Sequence, residues 1–240
     1  MTTRRPGIGA LLFAWAGAAL FAASLLIFLY LYGIGYRRAP ATTGAAAIVI
    51  DVLLFTAFAL HHSIFARSGL KRRVAKILPP FVERAVYTWV ASLLFLGVCL
   101  LWRPVDGVVY AWPGAWAIVA RGVQIAGLAL TAIASAAIDV LDLAGVRPIL
   151  GARGGAAPRH VALKTDGAYR WVRHPLYFGW TLFVFGAPEM TGTHLLFALV
   201  STLYLAVAIP FEERSLVDVF GDAYRSYQRA TPSRLLPGLW

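Results

Sequence analysis

The stretch from Asp166 to Gly179 reads Asp-Gly-Ala-Tyr-Arg-Trp-Val-Arg-His-Pro-Leu-Tyr-Phe-Gly, placing two guanidinium groups, an imidazole and two phenols at the edge of an apolar block. On a helix begun at an Asp166 N-cap, Arg170, Arg173, His174 and Tyr177 recur every three or four residues and share one face. Pro175 lacks an N–H, so inside such a helix it frees the carbonyl of Trp171. A polar group freed at membrane depth must find a ligand, a water or another helix. The same residues also suit an ordinary interfacial helix start, with arginines reaching for headgroups. A second polar set, Pro210-Phe211-Glu212-Glu213-Arg214, ends the last apolar block. Adjacent carboxylates there are costly unless they meet cations, and Arg214 at a water-facing helix end is one way to meet them. Phe220, Tyr224 and Tyr227 follow as a stripe at i, i+4 and i+7 on a charged segment. Such a stripe suits either membrane anchoring or the wall of a compartment. Together these carboxylates, cations and rings match the needs of a zwitterionic, sulfonium-bearing cofactor. Its ammonium takes a carboxylate, its carboxylate takes cations or N–H groups, and its sulfonium takes ring faces.

The elements that must hold these groups are set by the solvent of the chain. Of 240 residues, 60% are apolar and only 14% charged, against about 25% charged in soluble domains. Six blocks are long enough, or nearly so, to cross a bilayer: 8–32, 44–65, 85–102, 115–138, 169–187 and 193–211. The fifth is short between Pro175 and Pro188, so it must begin near Asp166 or remain a re-entrant segment. The predicted fold is therefore an all-α integral membrane protein of about six transmembrane helices with a C-terminal amphipathic interfacial helix. It forms a single membrane domain over 1–240, with a four-helix part at 1–138 and a cofactor-binding part at 139–240. The run 8–32 is too long for a cleaved signal segment and reads as a retained anchor. Ala14, Ala18 and Ala22 have the small-xxx-small spacing of a packing face.

The net charge of +11 does not indicate nucleic acid, because the basic residues sit in short segments between apolar blocks. With a cytoplasmic N-terminus and six crossings, the inner segments hold 18 of the 22 Lys and Arg residues. That bias puts both termini, and the polar sets at 166–179 and 212–227, on the cytosolic side. Cys99 is the sole cysteine, which excludes an internal disulfide and a cysteine-based metal site. Adjacent His61 and His62 diverge by about 100° on a helix and chelate poorly, so no metal is expected. Polar residues within apolar blocks are functional candidates, here Asp51, His61, His62, Asp139 and Asp142. His61 or His62 suits a proton acceptor, or packing and pairing with Glu83.

The run Arg173-His174-Pro175-Leu176-Tyr177, then Glu212-Glu213, then Phe220-Gly221-x-x-Tyr224-x-x-Tyr227 resembles the isoprenylcysteine carboxyl methyltransferase and phospholipid methyltransferase superfamily. The likeness covers roughly 163–237. It implies S-adenosylmethionine as cofactor, with His174, Tyr177, Glu212, Glu213 and Tyr224 as contacts and Arg170 and Arg173 beside them. Farther upstream, His61-His62-Ser63-x-x-Ala66-Arg67, Glu83-Arg84-x-x-Tyr87 and Trp102-Arg103-Pro104 look like the branch of methanethiol S-methyltransferases and nitric-oxide-associated membrane proteins. Asp142-Leu143-x-Gly145-x-Arg147 is similar to a segment of that branch, with Ala144 and Pro148 where Phe and Gln are usual. No strand-borne G-x-G-x-x-G occurs (Gly33-x-Gly35 lacks the third glycine), which excludes a soluble Rossmann-type enzyme. The resemblance implies methylation of a small thiol entering from the bilayer, such as methanethiol giving dimethyl sulfide. Arg173, His174, His61 and His62 are then the groups available to generate or stabilise a thiolate. Rival acceptors are a prenylated cysteine carboxylate and a lipid amine. A rival of another class is a non-enzymatic scaffold.

Overall fold

The computed structural model describes residues 6–36, 44–65, 78–136, 139–154 and 162–240. Arg4, Arg5, Arg37, Arg38, Ala66, Arg67, Arg159 and the basic residues of 71–76, which entered the charge distribution or the upstream motif, lie outside the described residues. The chain divides into two compact units, Met1–Pro104 with Asp139–His160, and Val105–Ile138 with Val161–Trp240.

In the first unit, helix α1 (Ile8–Tyr30) runs on through a π-helical turn at Leu31–Gly35 and packs along α3 (Pro80–Leu101). Its buried face is Ala14, Gly17, Ser24 and Phe28; Ala18 packs beside Ala14, while Ala22 is exposed, so the seam leaves the alanine series after Ala18. A Cβ on Gly17 would lie 2.8 Å from the Trp89 indole, and that indole donates to the Phe13 carbonyl at 2.9 Å. Helix α2 (Ala45–Phe65) lies against α3, and Asp51 on it accepts from the Arg103 backbone N–H at 2.8 Å, just beyond the end of α3. After the second entry into this unit come α5 (Val140–Leu143), capped by Asp139, and α6 (Val146–Gly154). Gly145 between them has φ +78°, and a Cβ there would fall 2.4 Å from the Ala85 nitrogen. Only glycine permits that approach. Thr88 donates to the Leu143 carbonyl at 2.9 Å, Arg84 pairs with Asp142, and Arg147 pairs with Asp139. The motif residues of this unit therefore bind one another.

The second unit carries the polar sets. Helix α4 (Gly114–Ala136) packs along α7 (Pro175–Phe185), and glycines bring their backbones together. A Cβ on Gly127 would lie 2.5 Å from the Phe183 nitrogen and 2.6 Å from the Gly179 oxygen. A Cβ on Gly186 would lie 2.8 Å from the Gln124 nitrogen. Gln124 donates to the Phe183 carbonyl at 3.2 Å, and Thr131 to the Leu176 carbonyl at 3.4 Å. Because α7 meets α4 at successively earlier residues, the two run antiparallel. Strand β1 (Val108–Ala111) precedes α4 and pairs antiparallel with β2 (Glu189–Thr191), which follows α7. From β2 the chain enters α8 (Gly192–Phe220) and then α9 (Asp222–Ala230).

Among the described residues, five helical segments are long and apolar enough to span a membrane: Ile8–Gly35, Ala45–Ser63, Pro80–Leu101, Gly114–Ala136 and Gly192–Phe220. The fifth block does not form a helix from Asp166. A short 3-10 turn occupies Gly167–Arg170, and the α-helix begins only at Pro175. Proline fits the first helical position, where the missing N–H is not needed, and its ring opposes a preceding turn. The resulting 11-residue helix is about 16 Å long, well under the roughly 30 Å hydrocarbon core. Gly127→Ala is expected to lower the melting temperature of the detergent-solubilised protein by several degrees, through overpacking of about 1–3 kcal/mol. Gly122→Ala, whose Cβ would meet nothing within 4 Å, should leave the melt unchanged.

Candidate active site

Helix α8 is 29 residues long, roughly 43 Å, so its last turns project past the length that a bilayer core requires. Those turns carry Glu212 and Glu213. Pro210 sits inside the helix without breaking it. Glu213 is only 4% exposed and is met from several elements. Arg173 Nε donates to its Oε1 at 2.5 Å, and Tyr224 donates to the same oxygen at 3.5 Å. Gln228 donates to Oε2 at 3.3 Å, and Arg234 Nε lies 3.3 Å from it. Arg173 is itself buried, and its Nη1 donates to the carbonyls of Thr231 and Pro232, each at 2.7 Å. A buried ion pair is tolerable when its remaining donors and lone pairs are satisfied in this way.

His174 is the N-cap residue of α7. Its backbone N–H donates to the Arg234 carbonyl and that of Arg173 to the Ser233 carbonyl, both at 2.9 Å. The imidazole stacks on Tyr177 with ring centroids 5.3 Å apart and planes 1° from parallel. His174 Nδ1 lies 3.7 Å from Glu212 Oε2 and Nε2 lies 3.5 Å from Glu213 Oε1, so the ring stands between the two carboxylates. Tyr177 donates to Glu212 Oε2 at 2.8 Å, and the Glu212 side chain remains 42% exposed. Beside this cluster a cavity of about 320 Å³ is lined by Pro210, Glu213, Arg214, Val217, Asp218, Gln228 and Arg234.

The aromatic stripe expected on one surface helix is split in two. Gly221 has φ +57°, ending α8 at Phe220 and starting α9 in a new direction. Tyr224 and Tyr227 are consequently buried, not presented on an outer face. Tyr227 donates to the Tyr169 carbonyl at 2.7 Å. Burial pushes both hydroxyls well above their ordinary pKa, reinforced for Tyr224 by the Glu213 charge and for Tyr227 by Tyr169. Both therefore stay neutral donors. Burial and the Glu212 charge raise Tyr169 likewise.

Of the residues singled out by sequence, Arg173, His174, Tyr177, Glu212, Glu213 and Tyr224 come together in the second unit. They do so through tertiary packing and not on one helical face, because Arg173 and His174 precede the helix that carries Tyr177. Arg170 lies in the 3-10 turn and is exposed. Asp166 stands at the start of that turn but its carboxylate pairs with Lys164 and makes no capping hydrogen bond, and the Trp171 carbonyl is not freed by a kink, since Pro175 starts its helix. His61 and His62 belong to the first unit. His62 Nδ1 hydrogen-bonds the Tyr87 hydroxyl at 2.7 Å, and the His61 ring stacks on Tyr87 at 5.4 Å. The contributions of Gln228, Arg234 and the carbonyls of Thr231 and Pro232 had no signature in sequence, since nothing periodic links the tail to Arg173.

A chain whose histidine, tyrosine and paired glutamates assemble at the end of a long apolar helix invites comparison with membrane enzymes. The phospholipid methyltransferase family model matches residues 123–223. Methanethiol S-methyltransferase 2 of Bradyrhizobium diazoefficiens is 36% identical over 228 residues, covering 92% of this chain and 88% of that protein. The chain belongs to the methanethiol S-methyltransferase family. Methanethiol S-methyltransferase of Mycobacterium tuberculosis is 34% identical over 229 residues, covering 90% of this chain and 93% of that protein. Protein-S-isoprenylcysteine O-methyltransferase of Schizosaccharomyces pombe is 40% identical over 74 residues, 30% of this chain and 31% of that protein. No solved structure matches the chain. Family membership makes the chain a membrane methyltransferase, and the resemblance read from its motifs holds.

Removing one member of the buried pair strands the other. Arg173→Leu is expected to destabilise the protein by about 3–5 kcal/mol, leaving the Glu213 charge without its closest partner. Thermal unfolding in detergent measures this, and an unchanged melting temperature would show the pair to be energetically idle.

Proposed function

We propose that the protein transfers a methyl group from S-adenosylmethionine to a small thiol, with methanethiol converted to dimethyl sulfide. The observation that carries this reading is the half-exposed Glu212 carboxylate, set beside a stacked His174–Tyr177 pair and a cavity rimmed by Arg214 and Arg234. That donor set fits the ammonium, the carboxylate and the adenine or sulfonium of the cofactor. The residues that build the site are His174, Tyr177, Glu212, Glu213 and Tyr224, with Arg170 at its exposed edge. When bound, S-adenosylmethionine supplies an electrophilic methyl group on a positively charged sulfur. The chain's own residues align the acceptor sulfur with that methyl and keep water out. A thiol must lose its proton to attack, and His174 serves as the acceptor. Arg173 acts as a positioning residue, since its hydrogen bonds point inward to Glu213 and to two backbone carbonyls.

The relatives named for methanethiol match over nearly their whole length, whereas the isoprenylcysteine relative matches over 74 residues. That difference favours a shared donor with the latter and a shared acceptor with the former. Ala144, where a Phe is usual in the resemblance, is buried in the first unit beside Val146 and Ile149. The departure thus falls in a small-residue core.

The donor reading is tested by calorimetric titration of the detergent-purified protein with S-adenosylmethionine, followed by headspace detection of dimethyl sulfide from methanethiol. Saturable binding and product are expected, and His174→Gln should weaken donor affinity. A well-folded protein that binds no donor would support the scaffold reading instead. For topology, α7 with residues 186–191 makes the fifth of six crossings, because β2 returns the chain to β1 at the start of α4. Both termini and the site then face the cytosol. A reporter fused after Trp240 is expected to be active only in its cytoplasmic form, and a periplasmic signal would rule this out.

A further inference from the structure

Glu212 and Glu213 are neighbours in sequence, but a helix turns about 100° per residue, so the two carboxylates point in different directions. A carboxylate offers about four lone-pair positions. Glu213 accepts from Arg173 and Tyr224 on one oxygen and from Gln228 on the other, where the Arg234 guanidinium also pairs with it at 3.3 Å. Three of these four partners come from residues 222–240. Arg173 extends the connection through the carbonyls of Thr231 and Pro232, and the backbones of Arg173 and His174 pair with Ser233 and Arg234. Beyond that point the tail folds back on itself. The Trp240 carbonyl accepts from Leu235 and Leu236, Leu235 is buried, and the Arg234 guanidinium lies 5.7 Å over the Trp240 ring. Glu212 differs in each respect. Among the described residues Tyr177 is the one hydrogen-bond donor that reaches it, and its side chain is 42% exposed.

We propose that the two glutamates divide the work: Glu213, with Arg173, is a clasp that holds residues 222–240 against the site, while Glu212 alone receives the ammonium group of the methyl donor. The assignment of a ligand to Glu212 rests on the methyl-donor reading above, and the clasp does not. Both oxygens of Glu213 already face protein donors, and drawing Oε1 away would strand the buried Arg173. Glu212 has both exposure and spare accepting capacity, and Tyr177 holds its carboxylate in one orientation. Through the Arg234 carbonyl, the clasp also fixes the backbone of His174, so Glu213 is a positioning residue.

The test compares Glu212→Gln and Glu213→Gln in the full-length, detergent-purified protein. The readouts are calorimetric affinity for S-adenosylmethionine, steady-state kinetics with methanethiol, and amide hydrogen exchange. Glu212→Gln is expected to raise the dissociation constant and KM for the donor by roughly ten- to a hundredfold, the loss of one charge-assisted contact. Its kcat at saturating donor should hold to within a few-fold, and exchange over 222–240 should match wild type. Glu213→Gln is expected to speed exchange over 222–240 by at least about tenfold relative to α4, and to lower kcat as well as affinity. Should Glu213→Gln not fold, Gln228→Ala removes one of the four donors and should speed exchange over the same segment to a smaller degree. Wild-type exchange in that segment for Glu213→Gln, or for Gln228→Ala in its place, would overturn the clasp. Unchanged donor affinity in Glu212→Gln would overturn the ligand assignment. If wild type itself binds no S-adenosylmethionine, the methyl-donor reading and the Glu212 assignment fail together, while the exchange data still decide the clasp.

Discussion

Two opposite charges with side chains about 5% exposed, at the end of an apolar helix, set the terms for the second unit. Moving an ion of this size out of water costs several kcal/mol even after relaxation, and mutual attraction recovers it only when the other donors and lone pairs are filled. Arg173 and Glu213 meet that condition by recruiting groups from separate elements: two tail carbonyls, a tyrosine, a glutamine and a second arginine. The arrangement of residues 166–177 and 222–240 follows from the need to bring those partners in. A hydrophobic pair of the same volume would be no less stable by itself, but it would not orient a tail through hydrogen bonds.

What brings Arg173 to Glu213 is a second constraint, purely steric. The α4–α7 contact at Gly127, Gly179 and Gly186 admits no side chain, so α7 has one depth and one rotation against α4. In lipid, where apolar burial gives no net drive, close backbone approach is a main source of helix association. The short α7 thereby has a defined start, and the residues immediately before it, Arg173 and His174, inherit its position. At the far end, pairing of β1 with β2 ties the entries to α4 and α8 together.

Much of this was legible in sequence, and the remainder failed for physical reasons. The apolar blocks gave three helices, α1, α2 and α4, nearly to the residue, because the length needed to cross a bilayer is a hard constraint. The polar clusters at 166–179 and 212–227 were visible because ionisable groups beside apolar blocks demand a reason. The period that seemed to unite Arg170 with Tyr177 was misleading, since Pro175 opens a helix instead of bending one. The period linking Phe220 to Tyr227 was likewise broken by Gly221, whose positive φ has no periodic signature. Arg234 and Gln228 were missed because their role is tertiary: about 20 residues and a reversal of direction separate Arg234 from Glu213. Ala22 shows the same limit on α1, where the observed seam runs through Gly17 and Ser24.

The division of the chain into units also bears on how the protein is made. Each unit is assembled from two separated stretches, so neither is complete when its first stretch leaves the ribosome. Helix α4 carries few charges and is long enough to enter the bilayer at once, yet its glycine face has no partner until residues 175–186 are synthesised. During that interval Gly127 and its neighbours face lipid, with no side chain to shield the backbone. The α4–α7 contact must then form between segments already in the membrane, by lateral association. Until that contact forms, the α4 surface is the place where premature association with other apolar helices has to be avoided.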